Sequence, residues 1–382
     1  MGKKPRIIID ALAFAPHDGG FTTLIANLLD TCSALGEFEF FVAHHKGYTS
    51  TFAKWPLPGL KVEFPAKARF FVSALILPYL VRSVRATAVH CEISAVPRFL
   101  GVPSSVTVTD LYFLIDRTAS GRGVKHWIMQ LYWERYFARS LQRAEVIKAI
   151  SQTTADDVRR LVSPSLSPVV IHPFANAAHS VVANRSWPAD GEPVRLLFLG
   201  SIVPRKNLLF LLRALPAFKV NWLLDVVGNP WWGFAEIAPL LVSPRIRYHG
   251  HVSNEERDRL LLECHIIIVP SLYEGFSYPT IEAIGRGCLA LTSNVSVFRE
   301  YVPEQCRFDL NDPQNLADLF NRLDQQTYAL LRELSSKCIA RFSREAHIEG
   351  HRIMFRRLLN EGEHGRSDLV RKTGLSSARN VT

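Results

Sequence analysis

His265-Ile266-Ile267-Ile268-Val269-Pro270-Ser271-Leu272-Tyr273-Glu274-Gly275-Phe276-Ser277-Tyr278-Pro279-Thr280-Ile281-Glu282-Ala283 reads as a strand, a loop and the start of a helix. The β-branched run 266–269 is continuous rather than alternating, the pattern of a parallel strand buried on both faces. After Pro279 the pattern turns helical, from Thr280 to Gly285. Glu274 therefore falls in the strand-to-helix loop and Glu282 in the first turn of the helix, with seven residues between them. In open α/β sheets ligands bind outside the carboxyl ends of the strands. The amides of Gly275, Phe276 and Ser277 and the helix terminus favour anionic groups. Two carboxylates at the same place would repel a phosphate, so sugar hydroxyls are their expected partners.

The stretch resembles the E-x7-E signature of retaining glycosyltransferases of family 4, group 1 type, a family that includes bacterial mannosyltransferases and glycogen synthases. Two Glu at this spacing alone are weak, since any acidic helix supplies them. The preceding strand, the P-S-x-x-E-G-F start and the P-x-x-E-A end make the resemblance specific. It implies that Glu274 contacts the transferred sugar and Glu282 the ribose of a nucleotide sugar, with Tyr278 beside the donor. The plainer alternative is a solvated helix terminus with a favourable acid in its first turn.

Gly200-Ser201-Ile202-Val203-Pro204-Arg205-Lys206-Asn207 follows another apolar strand, 194–199, and precedes a helix that Asn207 can cap. A departing diphosphate gathers negative charge, and fixed cations beside it lower the barrier. Arg205 and Lys206 can supply that charge with no metal or other cofactor. The segment resembles the family's P-R-K-N, with Ser201 where relatives often carry an arginine. Asp18-Gly19-Gly20-Phe21, between the first strand and first helix, resembles the family's Gly-Gly facing the donor phosphate, although Gly-Gly is more often simply a turn. Thr109-Asp110 stands where many relatives have His-Asp; Asp110 is a candidate active-site acid and equally a helix cap. His251, in His249-Gly250-His251-Val252, is placed near the nucleotide base by the family's G-x-V strand end, whereas His90 reads as a core histidine.

Strand and helix signals alternate from Arg6 to His172, pause over the Pro- and Gly-containing stretch 176–193, and resume at Val194. Alternation with short connections implies doubly wound parallel sheets. The expected organisation is an acceptor-binding Rossmann-like domain at 1–175, a linker at 176–193 and a nucleotide-sugar-binding Rossmann-like domain at 194–343. A helix at 344–360 follows, then a disordered polar tail at 361–382. The resemblance implies two domains facing across a cleft (the GT-B fold), with the last helix crossing back to the N-terminal domain.

The 382 residues carry 45 Lys+Arg against 35 Asp+Glu. Residues 1–185 hold 21 against 13, or +8, and residues 186–382 hold 24 against 22, or +2. An anionic partner for the first half follows. Nucleic acid is not favoured, because no helix-turn-helix, zinc-finger or RNP-like motif is present. Aromatic and basic residues share two helical stretches, 67–85 and 125–143, suiting either an anionic membrane face or a core-facing helix with a solvated basic side. Six scattered cysteines with no C-x-x-C fit a reducing compartment, and no apolar run approaches the ~20 residues that span a bilayer. The expected location is cytoplasmic, peripheral on the inner face of the cell membrane.

The expected activity is retaining transfer of a hexose, mannose by the P-R-K-N form, from a nucleotide diphosphate sugar to a surface polysaccharide or glycolipid. A sugar-nucleotide epimerase of the same fold and a catalytically inactive nucleotide-sugar-binding subunit are the alternatives. If Glu274 serves the sugar alone, Glu274→Gln is expected to leave affinity for the bare nucleotide diphosphate nearly unchanged.

Overall fold

A computed structural model describes residues 3–15, 20–65, 69–116, 124–174, 186–231 and 233–373. The chain divides into two compact units: residues 1–173 with 344–382, and residues 174–343. Gly19 and most of the expected linker lie outside the described residues.

The first unit is built on seven parallel strands: β1 (Arg6–Asp10), β2 (Glu39–His45), β3 (Gly59–Val62), β4 (Ala88–Cys91), β5 (Ser104–Val108), β6 (Val146–Ala149) and β7 (Val169–Val170). Their spatial order is β3-β2-β1-β4-β5-β6-β7. Ile7, Ile8 and Ile9 of β1 are wholly buried, as a central strand covered on both faces must be. Leu77, Leu80 and Val81 of the helix Arg69–Val84 share one core with Tyr132, Phe137 and Leu141. The latter three lie on a helix that runs from Val124 through a π-helical segment, Tyr132–Phe137, to Leu141. The two aromatic–basic stretches thus contribute to a single layer over the sheet.

The helix Arg344–Thr373 packs with this first unit, as the resemblance implied. Met354, Phe355 and Leu358 are fully buried, and Phe355 meets the rings of Phe38 and Phe40. It also corrects the tail: helix continues thirteen residues past 360 to Thr373. Gly362 and Gly365 each cost only about 1 kcal/mol in a helix interior, and no proline interrupts the run. Residues 374–382 lie outside the described residues.

The second unit has six parallel strands: β8 (Val194–Leu199), β9 (Trp222–Val227), β10 (Ile246–Gly250), β11 (Ile266–Val269), β12 (Leu289–Ser293) and β13 (Arg307–Phe308). They are ordered β10-β9-β8-β11-β12-β13. Chain direction across this sheet reverses between β8 and β11, which pair directly at Leu196 and Leu197. The loops leaving these two strands therefore emerge side by side, at the position where doubly wound sheets bind ligands. Those loops are Gly200–Asn207 and Pro270–Ser277.

Candidate active site

The two loops are joined by a backbone hydrogen bond, Leu272 N–H to Arg205 O at 2.8 Å. That bond sets the cations of one loop against the carboxylate of the other. Lys206 Nζ lies 2.5 Å from Glu274 Oε1, and Arg205 Nη1 lies 3.2 Å from Glu274 Oε2. Arg205 Nη1 also donates to Tyr273 O at 2.7 Å, and Ser271 Oγ donates to Glu274 Oε1 at 2.7 Å. Glu274 is buried, while the side chains of Lys206 and Arg205 keep 15% and 24% of their surface exposed. Burial alone would raise the Glu274 carboxyl, but Lys206 and Arg205, with the Ser271 hydroxyl, hold it at about 2. Among these four, Ser271 was not singled out from the sequence; its place three residues before the acid was the available signal.

Backbone geometry explains why these residue types sit here. Asn207 adopts φ 53° and Ser277 φ 69°, the left-handed region that most side chains avoid. Asn207 precedes the helix Leu208–Ala214 without a side-chain capping bond, so the expected cap is positional only. Gly228, at the end of β9, approaches Gly200 so closely that a Cβ there would lie 1.9 Å from the Gly200 oxygen. Only glycine lets the β8 and β9 exits approach like this.

Glu282 is buried in the helix Tyr278–Gly285, 3.8 Å from Arg257 Nη2 of the helix Asn254–Glu263. Burial raises its carboxyl against the opposing charges of Arg257 and Arg286. Ser253 caps the Asn254–Glu263 helix by accepting from Glu256 N–H. Gly275 and Ser277 are buried, Tyr278 half-buried, and Ser277 Oγ shares a 2.8 Å hydrogen bond with Thr280 Oγ1. The expectation for Phe276 concerns its backbone amide; its ring packs on Tyr278, Tyr301 and Phe342, and its carbonyl accepts from the Tyr301 hydroxyl. It anchors the loop from beneath, leaving backbone rather than ring for a ligand. Ser201 and His251 are exposed on the turns after β8 and β10. Behind His251 is a pair the sequence reading missed, His249 Nε2 to Asp225 Oδ1 at 2.7 Å.

Asp110 and Gly20 belong to the first unit. Asp110 Oδ1 accepts from Tyr112 N–H at 3.1 Å, closing a turn just before the helix Tyr112–Ile115, whose N-cap residue Leu111 makes no side-chain capping bond. Gly20 is exposed at the first position of the helix Gly20–Ala34. His90 is a satisfied core histidine, bonded to Ser105 and Glu92. Among the described residues no group of three or more His, Cys, Asp or Glu side chains is placed to hold a metal ion.

Solved structures share this fold. Sucrose-phosphate synthase from Thermosynechococcus elongatus superposes with a TM-score of 0.72 over 94% of this chain and all of that one, at 18% identity. HepE of Anabaena, solved with UDP and glucose, gives 0.66 over 92% of this chain and 99% of that one, at 13% identity. These likenesses establish the two-unit parallel α/β architecture of the GT-B class. O-antigen chain mannosyltransferase B of Escherichia coli is 26% identical over 189 residues, 45% of this chain and 49% of that protein. The match thus spans about half the length of this curated relative. Residues 183–339, which contain the whole β8–β13 sheet and the Arg205–Lys206–Glu274 cluster, match the model of the family described as glycosyl transferases group 1.

Proposed function

We propose that the chain is a retaining glycosyltransferase that moves a hexose, mannose being favoured, from a nucleotide diphosphate sugar to a glycan or glycolipid acceptor of a cell-surface polysaccharide. The observation that carries this is the Lys206–Glu274–Arg205 cluster at the switch point of the second sheet, inside the stretch that matches the family. Two cations with exposed faces, beside a buried acid, suit a diphosphate next to a sugar. The match to the O-antigen mannosyltransferase favours mannose and a surface glycan.

In this reading Glu282 holds the ribose, and backbone amides of Gly275–Ser277 with the following helix terminus face the donor. The C1–O bond to the diphosphate breaks as Lys206 and Arg205 stabilise the growing negative charge. The acceptor hydroxyl forms its bond to C1 on the same face, and its proton passes to the departing phosphate oxygen. The protein's own cations match the leaving group, so no divalent metal is needed.

Thermal shifts with UDP, GDP, ADP and dTDP, followed by transfer assays with and without EDTA, test the reading. One nucleotide should raise the melting temperature, since binding to the folded state alone stabilises it. Transfer should survive EDTA, and Lys206→Ala should lower turnover by roughly 10²–10³. Turnover of donor without acceptor would indicate an epimerase instead. Nucleotide binding with neither transfer nor hydrolysis would indicate an inactive binding subunit, and dependence on Mn²⁺ or Mg²⁺ would overturn the metal-free step.

A further inference from the structure

The layer formed in the first unit by the helix Arg69–Val84 and the 124–141 helix has two unlike faces. Inward go Leu77, Leu80, Val81, Tyr132 and Phe137, which account for the core-facing part of both aromatic–basic stretches. Outward, Leu75 is 80% exposed, Tyr79 69%, Trp127 65% and Ile128 46%, and Phe99 on the loop between β4 and β5 is 78% exposed. Leu75 and Tyr79 are four residues apart on one helix, hence on one stripe; Trp127, Ile128 and Leu131 make a second. A core needs none of these side chains to point away from it. Large apolar side chains exposed on the outer side of both helices of one layer suit an interaction surface.

Charge identifies the partner. Stretches 69–109 and 124–144 contain 8 Lys+Arg against 2 Asp+Glu, or +6 of the +8 carried by residues 1–185. One of the two acids, Glu92, is fully buried against Lys148, and the other, Glu134, accepts from Gln130. Arg82, Arg85, Arg98, Arg135 and Arg139 are all exposed. The positive charge of this half is therefore concentrated on the elements that expose the apolar side chains. A second copy of the same face would bring like charges together, which is unfavourable. An anionic bilayer surface accepts both features: arginines meet headgroup phosphates while Trp, Tyr, Phe and Leu enter the headgroup–acyl boundary. No helix among the described residues is long and apolar enough to cross a membrane, so contact would be from one side.

We propose that the outward face bearing Leu75, Tyr79, Phe99, Trp127 and Ile128, together with the exposed arginines of the same stretches, docks the protein on an anionic lipid bilayer. This deepens the glycolipid side of the reading above, but it is a property of the surface and does not depend on transfer chemistry.

The experiment is co-sedimentation of the full chain with phosphatidylcholine vesicles with and without phosphatidylglycerol, at low and high salt. The expected result is at least about tenfold stronger partition onto the anionic vesicles, weakening severalfold as salt rises. The combined variant Tyr79→Ser, Phe99→Ser, Trp127→Ser should lose about tenfold in partition while keeping its melting temperature and nucleotide response. These are exposed positions, so folding is not at risk. Arg82→Gln with Arg98→Gln and Arg139→Gln should remove the preference for anionic vesicles. Equal binding to both vesicle types, or unchanged binding by the apolar variant, would overturn the proposal. So would a dimer in solution that the apolar variant abolishes, which would assign the face to a second copy. Failure of nucleotide binding in every variant would instead count against the transferase reading alone.

Discussion

Each unit of this protein contains a buried glutamate held by a lysine, and the two arrangements differ in how open their cations are. In the first unit Lys148 Nζ sits 3.0 and 3.2 Å from the two oxygens of Glu92, with His90 and Thr107 bonded to the same carboxylate. In the second, Lys206 and Arg205 hold Glu274. In both, burial pushes the acid up and the neighbouring cations win, leaving it at about 2. The difference is access to the cations. Lys148 is sealed, with His351 Nε2 of the last helix 3.2 Å from its Nζ. Lys206 and Arg205 keep part of their surface open. A sealed ion pair can only hold structure in place; an open one can exchange its carboxylate for another anion. A depressed carboxyl therefore does not by itself identify a functional site.

The largest effect should come from breaking the sealed pair. Removing one partner of a buried ion pair leaves an uncompensated charge and costs about 3–5 kcal/mol. Lys148→Met should therefore strongly lower the melting temperature or prevent folding, and adding Glu92→Gln should recover much of the loss. Lys206→Met, measured beside it, should cost far less, because Arg205 and the Ser271 hydroxyl still hold Glu274. Calorimetric melting of the three variants decides the matter. Equal losses at Lys148 and Lys206 would erase the distinction between the two pairs.

Acid should separate the two units next. His347 is held down to about 4, first by burial and then by Lys148, although it bonds His172 O and feels Glu92. His351 is lowered well below its usual value by the same burial, with Lys148, His347 and His90 beside it. A histidine kept neutral in the fold stabilises it above the unfolded pKa, near 6.5. That stability declines as pH falls below that value, because the unfolded chain then binds more protons. From 6.5 to about 4 for His347 corresponds to about 3 kcal/mol in full, and about 2 kcal/mol by pH 5. Glu274, lowered from 4.5 to about 2, acts only below about pH 4.5. Between pH 7 and 5 the melting transition of the first unit should thus fall while that of the second holds, and His347→Gln should make the slope shallower without abolishing it, because His351, His90 and His44 of the same unit are lowered as well. A pH-independent transition, or one the variant leaves as steep, would show that these histidines titrate normally.

What could be read from the sequence follows from how local each signal was. Ile266–Val269, Val194–Leu199 and Ile7–Ile9 are buried on both sides, so their apolar runs declare them strands without knowledge of their neighbours. The edge strand Gly59–Val62 was missed, because a short, half-exposed segment after Pro56 and Pro58 lacks the run that betrays a central strand. Glu274, Lys206 and Arg205 were legible individually, each on its strand-to-helix turn. Their mutual contact was not, since it depends on the parallel pairing of β8 with β11 across seventy residues. Phe276 shows the limit of a motif reading. Its place in the signature says that the position matters, and only its packing on Tyr301 and Phe342 says that the ring supports the loop. The Glu92–Lys148–His351 chain was invisible for a similar reason: its members lie 56 and 203 residues apart.

The smallest predicted effect is also the one where geometry changes what the sequence implies. With Glu274 assigned to the sugar and Lys206 to the diphosphate, Glu274→Gln should leave nucleotide diphosphate affinity unaltered. In the structure the two are not independent, because the carboxylate already occupies the cations that the proposed reading assigns to the phosphates. An incoming diphosphate must compete with Glu274 for Lys206 and Arg205, and that competition subtracts from its binding free energy. A neutral amide keeps the shape and can still accept from Ser271, but it competes far more weakly for ammonium and guanidinium groups. Glu274→Gln should therefore bind the preferred nucleotide diphosphate about three- to tenfold more tightly, while losing turnover through the sugar contact. In the sealed pair, Glu92→Gln should change nucleotide affinity not at all. Isothermal titration of both variants beside the parent protein reads the difference directly. Unchanged affinity in Glu274→Gln would mean that the open pair rearranges at no cost on binding. Weaker affinity would mean that the acid positions the cations for the phosphate rather than occupying them in its place.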